Sequence, residues 1–387
     1  MYLFIPNAEE REKNMTGNGE TASEAVKTVE IMEEYRRFIG RKVAFIISCV
    51  VLIFILAGIS ATLGSYPITV TEVYSIIFRC LFQSPETTKE VIVWDLRLPR
   101  ILMGILAGTG LAIAGTIMQA ILRNPLASPF TLGISAGAGF GAALAILLGA
   151  GLVGGKYLII GNAFIFALIP TFVIIGLTRF RRATPETMIL AGIALLYIFS
   201  AATTLLMYFG EAEAVKEAYF WMVGSLGKSS WEQLIFQLKL GSASIIMPGA
   251  VPAVLIVCII PLMLKSWDLN VMSAGDETAK SLGVNVEQTR IFVLILASLM
   301  TAAIVSFTGT IGFIGLVAPH MCRIVIGADN RFLIPASGLL GGALLLAADT
   351  AARTIMAPVI LPVGVLTAFM GGPLFLYLIL RRRKEFW

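Results

Sequence analysis

From Lys42 to the C-terminal basic cluster, the chain alternates between long hydrophobic blocks and short polar breaks. A block of about 20 apolar residues is what a helix needs to cross a bilayer. Inside lipid only helices and closed barrels satisfy their own backbone groups. Ten blocks stand out, at 43–63, 99–121, 131–152, 157–178, 187–209, 245–264, 290–309, 311–326, 333–352 and 361–380. They predict an all-α, polytopic membrane protein with about ten transmembrane helices. The block at 311–326 is short and carries Pro319, as interrupted segments do where protein rather than lipid surrounds the backbone. Tyr219–Leu226 reads as a helical turn in an outer loop. Charged residues make up 14% of the 387, against about a quarter in an ordinary soluble domain. That excludes a nucleic-acid-binding module, a disordered tail protein and almost any soluble enzyme.

Residues 1–40 differ from the rest. They hold eight glutamates and no long apolar run, and they lack the basic start and apolar core of a secretory signal. They are expected to form a weakly ordered, acidic, cytoplasmic extension, followed by a transmembrane domain over 41–387. Met15 and Met32 are alternative starts. The positive-inside rule then orients the spans. With the N-terminus inside, 17 Lys and Arg from Arg36 onward fall on inner segments and 9 on outer ones, which predicts both termini in the cytoplasm. Trp94, Trp221, Trp231 and Trp267 fall at span edges, where an aromatic belt would put them.

The span centres carry almost no ionisable residue, a poor inventory for proton coupling or intramembrane catalysis. Asp349 and Arg353, four residues apart, are placed to pair on one helix face. Cys49, Cys80, Cys258 and Cys322 define neither a disulfide framework nor a metal site, and His320 reads as a helix-end residue. No metal or cofactor is expected on this chain. Gly224–Ser229 mimics a phosphate loop, but only two residues separate its glycines where the nucleotide motif needs four. If ATP drives transport here, another polypeptide hydrolyses it. Gly104 and Gly108, and likewise Gly133, Gly137 and Gly141, have the spacing that lets helices approach closely in lipid.

Three polar stretches remain. In Leu96-Arg97-Leu98-Pro99-Arg100, Pro99 suits a first helical turn and the two arginines share a helix edge. They read either as a docking point for an acidic partner or as interfacial anchors. In 273–283, Ser273 and Asp276 resemble a helix start and Gly283 a stop, with Ala279 and Leu282 on one side. This short helix is either a peg for a partner's groove or a plain connection. The loop Arg123–Pro129, stiffened by two prolines, either lines the inner end of a pathway or joins two spans.

Together with Gly-Phe-Ile-Gly-Leu-Val-Ala-Pro-His at 312–320 and Leu-Pro-Val-Gly at 361–364, these stretches occur in an order that resembles the FecCD-type permease subunits of ATP-driven importers for iron chelates and vitamin B12. The resemblance covers roughly residues 40–385. It implies a non-enzymatic subunit of the cell membrane that forms a homodimer. Two cytoplasmic ABC ATPase subunits would bind below, and an extracytoplasmic substrate-binding protein would dock above. It implies that Arg97, Arg100 and Arg353 meet glutamates of the binding protein. Gly275, Asp276, Glu277, Ala279, Leu282 and Gly283 would form the helix that couples to the ATPase, and Asn124 and Leu126 the inner gate. Thr184-Pro185-Glu186-Thr187 departs from the small-hydroxyl pattern of the other gate segment, so no role is carried onto it. The expected cargo is an iron–siderophore, haem or corrinoid. A stand-alone secondary transporter or channel is the alternative, and no nucleic-acid partner is expected.

Overall fold

A computed structural model describes residues 19–64, 66–152, 154–180, 184–240 and 243–380. The chain divides into two units, Met1–Ile47 and Ser48–Trp387. Residues 1–18 of the expected extension lie outside the described residues. From Gly19 the backbone is helical, where weak order is expected. The first helix, α1, runs Gly19–Thr62. Its N-terminal half is rich in Ala, Glu, Lys, Met and Arg, all good helix formers, with no proline.

After α1 come α2 (Val70–Cys80), α3 (Thr88–Val91), a π-helical turn at Ile92–Arg97 and α4 (Leu98–Leu122). Then follow α5 (Ile134–Leu148), α6 (Leu158–Phe180), α7 (Pro185–Phe209), α8 (Ala212–Val223) and α9 (Trp231–Leu234). The remaining helices are α10 (Ala250–Leu264), α11 (Ser266–Ser273), α12 (Asp276–Ser281), α13 (Val286–Thr308), α14 (Ile314–Ile326), α15 (Asn330–Thr354) and α16 (Val363–Leu380). Among the described residues six helices are long and apolar enough to cross a membrane. The pair α10–α11, bent by 53°, makes a seventh, and α5, α14 and part of α16 are shorter apolar helices.

The expected boundaries shift in three places. The block at 245–264 begins as a strand: β1 (Ile235–Leu240) and β2 (Ala243–Pro248) form an antiparallel hairpin, with Ile235 opposite Pro248. Pro248 and Gly249 stop the strand, and α10 starts at Ala250. The membrane fold is therefore all-α with one small hairpin attached. The block at 131–152 opens on a tight turn, with Gly133 at φ 78°, so α5 starts only at Ile134. The helix expected near Tyr219–Leu226 is α8, which starts earlier and ends at Gly224.

The most buried helices are α4, α13 and α15, whereas α7 is mostly exposed. The tightest pair is α4 against α15, and α14 packs on both. Two backbone contacts define this seam. A Cβ at Gly108 would lie 2.3 Å from the Gly341 carbonyl oxygen, and one at Gly115 would lie 1.7 Å from that of Gly315. Gly137 and Gly141 of α5 press in the same way on Phe166 and Asn162 of α6. Gly104 differs from expectation: its nearest neighbours are the side chains of Leu226 and Leu346.

Candidate functional site: polar clusters at the two ends of α4

Pro99 lies in the first turn of α4, and Arg123 ends the helix in the left-handed region at φ 45°. At 1.5 Å rise per residue, Arg100 and Arg123 are about 35 Å apart along the axis. Each belongs to a separate cluster of charges.

At the Arg100 end the structure brings together Arg97, Arg100 and Arg353. Their guanidinium groups turn inward, whereas the resemblance places them toward a partner. Arg100 makes a two-pronged pair with Asp349: Nε lies 2.9 Å from Oδ2 and Nη2 lies 2.8 Å from Oδ1. Arg353 approaches the same carboxylate through Nε at 3.2 Å and donates from Nη2 to Ser60 Oγ at 2.5 Å. Arg97 donates to the carbonyls of Ala61 (2.6 Å), Thr62 (3.1 Å) and Tyr66 (2.7 Å). Those carbonyls lie at and beyond the C-terminal end of α1, where the last turn has no intrahelical donors left. Asp349 is 1% exposed, Arg353 8% and the Arg100 side chain 11%. Guanidinium groups this buried need a carboxylate or free carbonyls beside them, because an unpaired charge in a low-dielectric site is costly. The expected Asp349–Arg353 pair is present. Arg100 as its third member is not visible in sequence, because 249 residues separate it from Asp349. Beside Arg100 a cavity of about 920 Å³ opens, lined among others by Lys216, Glu217, Trp221, Lys228 and Gln233. Trp231 closes this end by donating to the Trp94 carbonyl at 2.9 Å.

At the other end α12 is short and pinned. Its cap is Gly275, at φ 121°, and Ser273 does not cap it. Ser273 is the last residue of α11 and donates to the Asn270 carbonyl. Asp276 accepts from Arg123 Nη2 and, at 2.9 and 3.1 Å, from Arg290 Nη2. Arg123 also donates from Nε to the Met272 carbonyl at 3.1 Å, so it bridges the end of α4 to both sides of the α11–α12 corner. Ala279 is buried against Met272 and Val286. Leu282, expected beside it, instead points out and is 67% exposed, because α12 ends before it at Ser281. Glu277 and Lys280 are exposed as well. Gly283, at φ 85°, ends the corner with a bond to the Lys280 carbonyl.

Next to Arg123, Asn124 Oδ1 accepts from the Leu126 amide at 2.9 Å, a side-chain turn that leaves Leu126 half exposed. Glu186, in the first turn of α7, lies in the field of both Arg123 and Arg290. Sequence reasoning missed Arg123 and Arg290 as the partners of Asp276. The one available signal was a non-glycine residue at a helix C-terminus that favours glycine. The phosphate-loop mimic is a turn on Thr308, with the Ser225 amide bonded to its carbonyl at 2.8 Å. No group of three or more His, Cys, Asp or Glu that could hold a metal occurs among the described residues.

These features define a polytopic helical membrane protein with a polar cluster at each end of its most buried helices. The chain matches the FecCD transport family over residues 50–381, and it belongs to that family. It is 39% identical to the hemin transport system permease protein of Yersinia pestis, over 87% of this chain and 95% of that protein. It is 40% identical to the cobalamin import system permease protein of Halobacterium salinarum, over 77% of this chain and 75% of the relative. Among solved structures it resembles an ABC transporter described as metal-chelate type in an inward-facing conformation. The TM-score is 0.74 and the identity 29%, over 87% of this chain and 99% of that one.

Proposed function

We propose that this chain is the membrane permease subunit of an ATP-driven importer for an iron chelate (siderophore or haem) or a corrinoid, and that it works as a homodimer of ten-span subunits. The family match carries the reading, and the similarity to hemin and cobalamin permeases supports the cargo class. Counting the seven long spans with α5, α14 and α16 gives ten, and the excess of basic residues on alternate loops supports both termini in the cytoplasm. The protein performs no bond chemistry. It provides a path and two surfaces.

In this reading the Arg100 end faces outward. Arg100 and Arg353 share the Asp349 carboxylate and Arg97 is held by backbone carbonyls alone, so the cluster retains a surplus of positive charge toward acidic groups of a binding protein. Arg100, beside the open cavity with Lys216 and Lys228, is the first to reach. Because Asp349 already occupies Arg100 and Arg353, docking is an exchange of carboxylates, not a capture by free arginines. The Asp276 end faces the cytoplasm. Gly275 to Gly283 present Glu277, Lys280 and Leu282 to a cleft on the ATPase, while Ala279 anchors the helix from behind. Asp276, through Arg123, ties that helix to the loop of Asn124 and Leu126, the inner gate. Closure of the ATPase pair then biases a two-state change of the bundle.

The experiment is uptake into proteoliposomes holding this chain, its ATPase and its binding protein. ATP-dependent accumulation of a haem, siderophore or corrinoid is expected. Leu282→Glu, at an exposed position, is expected to abolish it by preventing ATPase association while leaving the chain folded. Uptake by the chain alone without ATP would overturn the reading.

A further inference from the structure

Helix α2 is not a span, and the transport reading assigns it no role. Thr69 caps it reciprocally with Glu72: the Thr69 amide donates to Glu72 Oε2 at 2.9 Å, and the Glu72 amide donates to Thr69 Oγ1. At about 100° per residue its side chains fall into three sectors, each roughly a third of the circumference. Val73, Ile76 and Cys80 are buried in a cluster with Ile68, Val93 and Leu346. Val70, Tyr74, Phe78, Leu81 and Phe82, on and just beyond the helix, form an exposed apolar stripe, from 56% exposed at Val70 to 78% at Phe82. Glu72, Ser75 and Arg79 form the polar sector, with Thr71 at its border with the stripe, and Arg79 binds Gln83, Glu86 and Glu90.

We propose that α2 is an interfacial helix whose Val70–Tyr74–Phe78–Phe82 stripe rests in the lipid leaflet at the Arg100 end of the bundle. A helix with protein on one side and lipid on another keeps two apolar faces and turns its remaining polar face to water. This is the order found here. Both ends of α2 are tethered through short segments to membrane spans, α1 before it and the Thr88–Leu122 run after it, so it stays at the level where those spans leave the bilayer. The stripe also continues onto exposed apolar surface of α1: a Cβ at Gly58 would sit 3.7 Å from Tyr74 Oη, and Ile55, Ile59 and Leu63 are exposed beside it. Tyr and Phe next to a charged sector are the residues that bind at a membrane–water boundary. Buried apolar area then braces the outer end of α1 and the π-helical turn through the shared cluster.

The test incorporates p-benzoylphenylalanine at position 74, 78 or 82 and, for comparison, at 75 on the polar face, in the full chain in phosphatidylcholine–phosphatidylglycerol vesicles. The probe extends Phe by a benzoyl group, and because these positions are exposed the added ring projects away from the folded chain. Irradiation is expected to give several-fold more lipid adduct at 74, 78 and 82 than at 75, by mass spectrometry. Equal yields at the stripe and the polar face would overturn the proposal. So would adducts to a second copy of the chain or to an added binding protein. The readout needs no transport, so it stands or falls independently of the importer reading.

Discussion

Removing the Asp349 carboxylate is the sharpest perturbation of this molecule. Asp349 takes three bonds from Arg100 and the approach of Arg353 Nε, and all three side chains are at most 11% exposed. Solvent and salt screen such a cluster little. Taking the carboxylate away leaves two buried guanidinium groups without their counter-charge, a loss of about 3–5 kcal/mol by analogy with other buried pairs. Asp349→Asn keeps the shape and two acceptor lone pairs, so its loss belongs at the lower end, and Asp349→Ala at the upper. Denaturant titration in mixed micelles measures the difference. Replacing the whole cluster (Arg100→Met, Asp349→Leu, Arg353→Met) is expected to recover much of the stability, since apolar residues need no counter-charge. Glu277→Gln serves as the control, because its contact with Lys280 at 3.5 Å is exposed and its loss should be undetectable. A loss below about 1 kcal/mol for Asp349→Asn would refute the reasoning. It would show that the arginines reach water or other acceptors, and that the cluster stands open before a partner arrives.

Gly115→Ala is expected to prevent stable folding, because the new methyl group would overlap the Gly315 carbonyl of α14. Gly176→Ala, with nothing within 4 Å, should be silent in the same thermal-stability assay. Arg123→Met is expected to lower uptake more than ATP hydrolysis in the assembled complex. Arg123→Lys, which keeps the charge but loses the fork to Asp276 and the Met272 carbonyl, should fall between; equal losses of uptake and hydrolysis would count against the link. The hydrogen bond from Lys89, at 2.6 Å, and those from Thr69 hold the Glu72 carboxyl down at about 2, from 4.5. The sign follows directly: the contribution is complete above pH 4.5, shrinks as pH falls below it and is gone near pH 2. Amide exchange in the first turn of α2 should therefore show the cap intact at pH 5 and lost only near pH 2. Loss with a midpoint near 4.5 would mean that Lys89 does not engage Glu72.

The long helices were legible because a bilayer demands contiguous apolar residues, so the blocks at 99–121, 187–209 and 333–352 nearly coincide with α4, α7 and α15. The β1–β2 hairpin was not, since an apolar strand and the start of a span look alike until Pro248 and Gly249 separate them. Helix α2 was missed because its 11 residues are too few for a span, although Thr69 and Glu72 spell a capping box before its apolar run. The short helix at Asp276 was visible from its acidic first turn and its closing glycine, but its cap was not Ser273. Which residues gather at each end was partly legible, and of their pairings only that of Asp349 with Arg353, one helical turn apart, was. Arg100 with Asp349, and Arg123 and Arg290 on Asp276, are contacts between distant segments that leave no local pattern.

The glycine seam along α4 has a mechanical consequence. Where Gly108 meets Gly341 and Gly115 meets Gly315, backbone touches backbone, and no flexible side chain lies between to take up sliding. Helices α4, α14 and α15 therefore behave as one keel. A working stroke started at either end cannot shear this keel. It must appear as tilting of the whole block or as movement of the less buried helices around it.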